Sequence, residues 1–154
     1  MLKTLALEGG SFFIIKEEII LQKIIYVGIG GCIGAVMRYL VTMQSAKMIN
    51  SNIPLGTLIV NVVGGFLIGM IMELSVSTDL ISPNLKLFLT TGVMGGLTTF
   101  STFSYETINL ISDGRYLFGI ANILLNVFLS IGGVALARLV CSCLLYTSLS
   151  GLAR

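Results

Sequence analysis

Between residues 95 and 104 the chain reads Gly95-Gly96-Leu97-Thr98-Thr99-Phe100-Ser101-Thr102-Phe103-Ser104. Two adjacent glycines and five hydroxyl side chains interrupt an otherwise apolar stretch. Adjacent glycines weaken a helix. Hydroxyls can bond the backbone groups that are freed where an apolar helix opens. A break near 95–98 is therefore expected. Opened carbonyls can bind a cation, and helix N-termini attract anions. The competing use of such residues is close packing, for small-xxx-small spacing brings helices together. Gly30/Gly34, Gly65/Gly69 and Gly92/Gly96 all have that spacing. Phe100 and Phe103 stand three apart, roughly on one helical face. The edge of an aromatic ring is electropositive and can hold a small anion that has shed its water. A core or lipid-facing phenylalanine is the commoner use of that residue.

Asn61 lies in Gly56-Thr57-Leu58-Ile59-Val60-Asn61-Val62-Val63-Gly64. Its amide offers two N–H donors, either to another helix or to an anion in a pore. Arg38 lies in Gly34-Ala35-Val36-Met37-Arg38-Tyr39. A charge inside a membrane span costs several kcal/mol (~2.5–3.5) unless it snorkels or faces protein or water. Arg38 thus marks either an interface or an interior vestibule that attracts anions. Glu73, a possible counterion, lies at the far end of its own span.

These groups need elements to hold them, and the composition says which. Of 154 residues, 55% are hydrophobic and 10% charged, against about 25% charged in soluble domains. The mean hydropathy is +1.00. So apolar a chain cannot cover itself with a polar surface, and the bilayer is its natural solvent. A helical span takes about 20 mostly apolar residues. The stretches 24–46, 55–74, 85–111 and 116–140 qualify, punctuated by Pro54, Ser82-Pro83-Asn84 and Asp113-Gly114. The expectation is an all-α integral membrane protein of four spans, the third broken at midmembrane. The net charge of +2 and the lack of any basic run argue against nucleic acid. The absence of histidine removes the commonest general base and metal ligand. Cys32, Cys141 and Cys143 form no metal or disulfide spacing, and Cys32 is expected to be a small packing residue.

The two ends of the chain look foreign to this pattern. Cys143-Leu144-Leu145-Tyr146-Thr147-Ser148 is what translation of TGTCTCTTATACACATCT would give, a string that resembles a transposon-end adapter. Residues 143–154 are accordingly expected to be read-through. Lys16-Glu17-Glu18 could translate a ribosome-binding sequence, with a start at Leu21, so 1–20 is expected to be a mis-called extension. The remaining domain is 21–142. Its flanking charges nearly balance: Lys23, Lys86 and Arg138 on one side, Lys47 and Arg115 on the other. Without a strong bias such a chain can insert both ways.

Three motifs in order, on three successive spans, resemble the Fluc (CrcB-type) fluoride channel family. They are Gly30-Gly31-Cys32-Ile33-Gly34-Ala35-Val36-Met37-Arg38-Tyr39, the Gly56–Gly64 stretch, and Gly95 through Ser104 continued by Tyr105-Glu106. The resemblance runs over about 26–133. It implies an antiparallel, dual-topology dimer of this chain, or of this chain with a homologous subunit, in the cell membrane of a prokaryote. It implies passive export of fluoride. Asn61 would line the pore, and Phe100 and Phe103 would offer ring edges to the ion. Glu106 and the hydroxyls after Phe103, beginning with Ser104, would form a polar track. Gly95 and Thr98 would give backbone carbonyls to a structural sodium ion on the dimer axis. Asn122 and Asn126 stand where many members carry a tyrosine and a serine. Both can hydrogen-bond an anion and so join the pathway.

Three other readings compete. A small multidrug exporter needs a midmembrane carboxylate, where the first span carries Arg38. A non-conducting assembly subunit would suit a chain inactive by itself. An intramembrane enzyme needs a nucleophile–base pair or a metal cluster, and neither is evident in the sequence.

Overall fold

The computed structural model describes the backbone of residues 2–78 and 80–152, and the side chains of 18–78 and 80–146. The described residues are mostly helical. Helix α1 spans Leu2–Met48 and α2 spans Leu55–Ser77. A composite segment follows: α3 (Pro83–Leu87), a π-helical stretch (Phe88–Met94), α4 (Gly95–Leu97) and α5 (Phe100–Ser112). Helix α6 spans Tyr116–Leu152. Three helical stretches, Glu18–Met48, Leu55–Ser77 and Tyr116–Tyr146, are long and apolar enough to cross a membrane. The expected third span, 85–111, is not one helix but these four pieces. The first and fourth helices also run well past the expected limits of 24–46 and 116–140. The terminal segments read as foreign, 1–20 and 143–154, lie largely outside the residues with described side chains.

The turns follow from local chemistry. Ser82 caps α3, its hydroxyl accepting from the Leu85 N–H at 3.3 Å, with Pro83 in the first helical turn. Gly114 takes φ +74° between α5 and α6, a conformation that suits glycine. The Arg115 guanidinium then donates to the Asn52 carbonyl at 3.1 Å and to Asn52 Oδ1 at 2.6 Å, tying this turn to the α1–α2 loop. At the opposite end of the bundle Arg138 meets Glu73 at 3.1 Å.

Glycines set how closely the helices lie. A Cβ on Gly30 would stand 2.6 Å from the Phe88 carbonyl, and one on Gly96 would stand 2.5 Å from that of Gly31. A Cβ on Gly34 would collide with the carbonyl of Val93. Helix α1 therefore packs backbone to backbone against the π-helical stretch and α4. Gly65 and Gly69 do the same for α2 on α6, where an added Cβ would lie 2.8 Å from the Ser130 and Val134 carbonyls respectively. The small-xxx-small glycines are thus packing residues, as the commoner use of that spacing implies. Val60, Val93, Met94 and Leu97 form the core between these pairs. Cys32, by contrast, is exposed and packs no core, while Cys141 is buried. Much of the remaining apolar surface is outward-facing, with Ile24, Tyr39, Phe128 and Leu139 all more than half exposed. That is the arrangement expected of a protein solvated by lipid.

Candidate functional site

The helix breaks at Thr98 and Thr99, at the edge of the expected interval. Thr98 has φ −78°, ψ 154° and Thr99 has φ −151°, ψ 116°, both extended. Two consecutive extended residues interrupt the helical ladder, and the freed groups need partners inside the protein. The Thr98 N–H still reaches the Met94 carbonyl at 3.0 Å, and its hydroxyl donates to the same oxygen at 2.9 Å. The Thr98 carbonyl accepts from the Arg38 guanidinium at 3.2 Å. Arg38 is half-buried and turned inward, so it is bound to the break and does not snorkel away from it.

Asn61 treats Thr99 as a neighbouring strand would. Its Oδ1 accepts from the Thr99 N–H at 2.8 Å, and its Nδ2 donates to the Thr99 carbonyl at 3.2 Å. Thr99 then serves as the N-cap of α5, its hydroxyl accepting from the Thr102 N–H at 3.2 Å. The N-terminus of α5 and the C-terminus of α4 thus face each other across the break, with opposite ends of their dipoles.

The polar chain continues across the bundle. Asn61 Nδ2 donates to Asn126 Oδ1 at 3.0 Å, and Asn126 Nδ2 donates to Asn122 Oδ1 at 3.0 Å and to its carbonyl at 3.1 Å. Asn122 Nδ2 donates to the Thr107 hydroxyl at 2.9 Å, which donates to the Phe103 carbonyl at 2.8 Å. Asn122 is fully enclosed and Asn126 nearly so. One turn along α5, Glu106 Oε1 accepts from the Thr57 hydroxyl at 2.9 Å. The other Glu106 oxygen, Oε2, and the Ser130 hydroxyl are buried without a hydrogen-bond partner among the described residues.

Part of this network borders a cavity of about 450 Å³ between α2, the broken segment and α6. Asn61, Phe100, Phe103, Asn126 and Ser130 are on its wall, as are Gly95 and Thr98. The two phenylalanines do not share one environment. Phe103 is 8% exposed and Phe100 78% exposed, since the helix restarts at Phe100 and its first side chain projects from the bundle. The rings still meet, with centroids 5.5 Å apart and planes inclined by 57°. Ser104 turns its hydroxyl back to the Phe100 carbonyl at 2.9 Å. Glu106 lies apart from this cavity. It closes a second, more polar one of about 280 Å³, with Thr42, Ser45, Asn50 and Ser51.

The sodium expectation rests on the carbonyls of Gly95 and Thr98. Because Asn61 takes the Thr99 N–H, the Gly95 carbonyl loses its helical donor. Backbone oxygens at a helix C-terminus suit a hard cation. The Thr98 oxygen already accepts from Arg38, but a carbonyl has a second lone pair. The donor chemistry therefore fits sodium. Among the described residues no cluster of three His, Cys, Asp or Glu side chains offers another metal site.

Thr57 and Ser130 join this site though the sequence did not single them out, and Thr99 and Thr107 do so after showing only as members of the hydroxyl run and the polar track. Thr57 lies one turn before Asn61, on the same face. Thr107 follows Glu106. Thr99 showed only as one of a run of hydroxyls, and Ser130 follows Asn126 by one turn of α6. The i, i+4 spacing of 57/61 and of 122/126/130 was the available signal.

Residues 25–138 match the family model described as CrcB-like protein, Camphor Resistance (CrcB). A protein of Clostridium novyi named fluoride-specific ion channel FluC is 57% identical over 122 residues, covering 79% of this chain and 94% of the relative. One of the same name from Clostridium perfringens is 59% identical over 100 residues, covering 65% and 78% respectively. Another, from Ruminiclostridium cellulolyticum, is 44% identical over 117 residues, covering 76% and 90%.

Proposed function

Because this chain belongs to the CrcB-like family, we propose that it is a fluoride-selective ion channel that lowers cytoplasmic fluoride by passive export. The observation that carries the reading is its likeness to the fluoride-specific channels over most of their length. It is a multi-pass membrane protein of a prokaryote.

Fluoride is small and strongly hydrated, so a pore must replace its water and still release it. The cavity beside the break supplies the means. Phe100 and Phe103 lie on its wall, where a ring edge would serve the ion, and the Ser130 hydroxyl there is buried without a hydrogen-bond partner among the described residues. Both N–H groups of Asn61 are engaged, so Asn61 acts first as the clamp that holds the break open. It becomes a ligand only by exchanging one of those partners for the ion. Ser104, Glu106, Asn122 and Asn126 continue the polar route on α5 and α6. Arg38 supplies positive charge at the break.

Two copies, or this chain and a homologous subunit, pair antiparallel in the lipid bilayer. The near balance of flanking charge supports insertion in both directions. Gly95 and Thr98 would hold a structural sodium ion through their carbonyls, which would neutralise the negative end of α4. Exchange of sodium for N-methylglucamine is then expected to lower the melting temperature of the purified protein.

The function is tested by fluoride efflux from liposomes loaded with potassium fluoride. Protein-containing vesicles should empty on addition of a potassium ionophore, while the same vesicles loaded with chloride should not. Fluoride release no faster than from empty vesicles, with the protein shown to be inserted, would overturn the reading.

A further inference from the structure

The hydrogen-bond chain through the asparagines runs one way. It starts at the Thr99 N–H, which can only donate, and ends at the Phe103 carbonyl, which can only accept. Between these ends each amide has a single consistent orientation. The Thr99 N–H requires the Asn61 oxygen, which turns the Asn61 nitrogen toward Asn126. That nitrogen requires the Asn126 oxygen, which turns the Asn126 nitrogen toward Asn122. Asn122 then donates to Thr107, whose hydroxyl proton is claimed by Phe103. A hydroxyl is the fitting terminus, for it accepts from Asn122 and donates onward at once.

The consequence is chemical. An amide is amphoteric, and its bare oxygen repels an anion as readily as its N–H attracts one. Here the side-chain oxygens of Asn61, Asn126 and Asn122 are each covered by an N–H. We propose that Thr107 and Asn122 are positioning residues for anion selectivity: they anchor a one-way chain that keeps the amide oxygens of Asn61 and Asn126 turned from the ion's cavity. Neither lines that cavity, so they act through Asn126 and Asn61, which do. Chains of aligned hydrogen bonds polarise one another, so a defect at one end is felt along the rest. Loss of the Thr107 hydroxyl frees the Asn122 side chain to rotate, and the Asn126 amide nitrogen is then held on that side by the Asn122 backbone carbonyl alone. This rests on the channel reading above.

The test compares Thr107→Val, Thr107→Ser and Asn122→Leu with the wild type in proteoliposomes. Fluoride efflux and chloride leak are measured in parallel, with size-exclusion elution as the check on folding. Wild-type fluoride efflux examines the channel reading by itself. Given that efflux, Thr107→Val should cut fluoride flux about tenfold or more, a barrier change of about 1.4 kcal/mol. It should also lower the ratio of fluoride to chloride flux. Thr107→Ser, which keeps the hydroxyl, should stay within about twofold of the wild type, as one methyl is a small packing change. A folded Thr107→Val with wild-type flux and selectivity overturns the proposal. So does equal loss in Thr107→Ser, which would make side-chain volume the cause. If Thr107→Val does not fold, Asn122→Leu is read on the same two axes with the same expected loss. Failure of both to fold would make the chain a stability element and also overturn the assignment.

Discussion

At the residue scale, the opened backbone at Thr99 is held by one side chain, the amide of Asn61. Asn61 stood out as an amide in an apolar helix, open to a helix partner or an ion. The structure gives it the backbone of Thr99, a choice set by residues 38 positions away. Asn61→Leu should therefore do more than slow the ion. It leaves the Thr99 N–H and carbonyl unpaired inside the bundle, at about 1–3 kcal/mol for each buried group. The expected result is a melting temperature lowered by several degrees in detergent, together with loss of fluoride flux. Unchanged melting would mean that water or another side chain covers Thr99. The phenylalanines divide differently. Phe100→Ile should leave stability nearly unchanged, because the ring is mostly exposed. Phe103→Ile removes buried volume and should cost about 1–3 kcal/mol. Both remove a ring edge, and fluoride efflux should fall at least about tenfold in each, the effect of ~1.4 kcal/mol on a barrier. Phe128→Ile, on the outer face of α6, is the control. Wild-type efflux in both motif variants would make these rings packing residues.

At the element scale, the break could be read because its causes are local. Gly95 and Gly96 stay helical in α4, the chain opens just after them at Thr98, and Thr99 is a ready cap for the helix that follows. The π-helical stretch Phe88–Met94 left no such mark. Phe88-Leu89-Thr90-Thr91 is ordinary helical sequence, and its wide winding goes with the contact of α1 on Gly92 and Val93. Tertiary contacts of that kind are not written in local propensity. The glycine seam between α1 and the broken segment is accordingly a sensitive element. Gly34→Leu drives a side chain into the Val93 carbonyl and backbone near Gly96, with nothing flexible to yield. It should displace α1 or block folding, at well over the ~1–3 kcal/mol of ordinary overpacking. Gly28→Leu, where an added Cβ meets nothing within 4 Å, should be tolerated. The yield of monodisperse protein in detergent distinguishes them, and equal yields would show the seam to be loose.

At the scale of the whole molecule, membrane character was evident from composition, whereas orientation depends on a few charges. Single cysteines placed at Ser51 and at Ser82, near opposite ends of the bundle, in a background without Cys32, Cys141 and Cys143, report it. If the chain inserts both ways, a membrane-impermeant maleimide should label about half of each population in intact cells. Labelling of one site alone would mean a single orientation and exclude an antiparallel pair of identical chains. The bond between Arg38 and Thr98 bears on how the molecule is made. Its partners lie 60 residues apart, so Arg38 is synthesised well before Thr98 exists. During that interval the first helix carries an unmatched charge about 15 Å, at 1.5 Å per residue, from its end at Met48. A translocon then meets a segment penalised by about 2.5–3.5 kcal/mol. A chain ending at Ser77 and released from the ribosome should therefore integrate the first helix poorly. Arg38→Leu should correct this in the shortened chain and make little difference in the full chain, where Thr98 is present. Biogenesis of the protein would be a deferred transaction, in which the last helices secure the first.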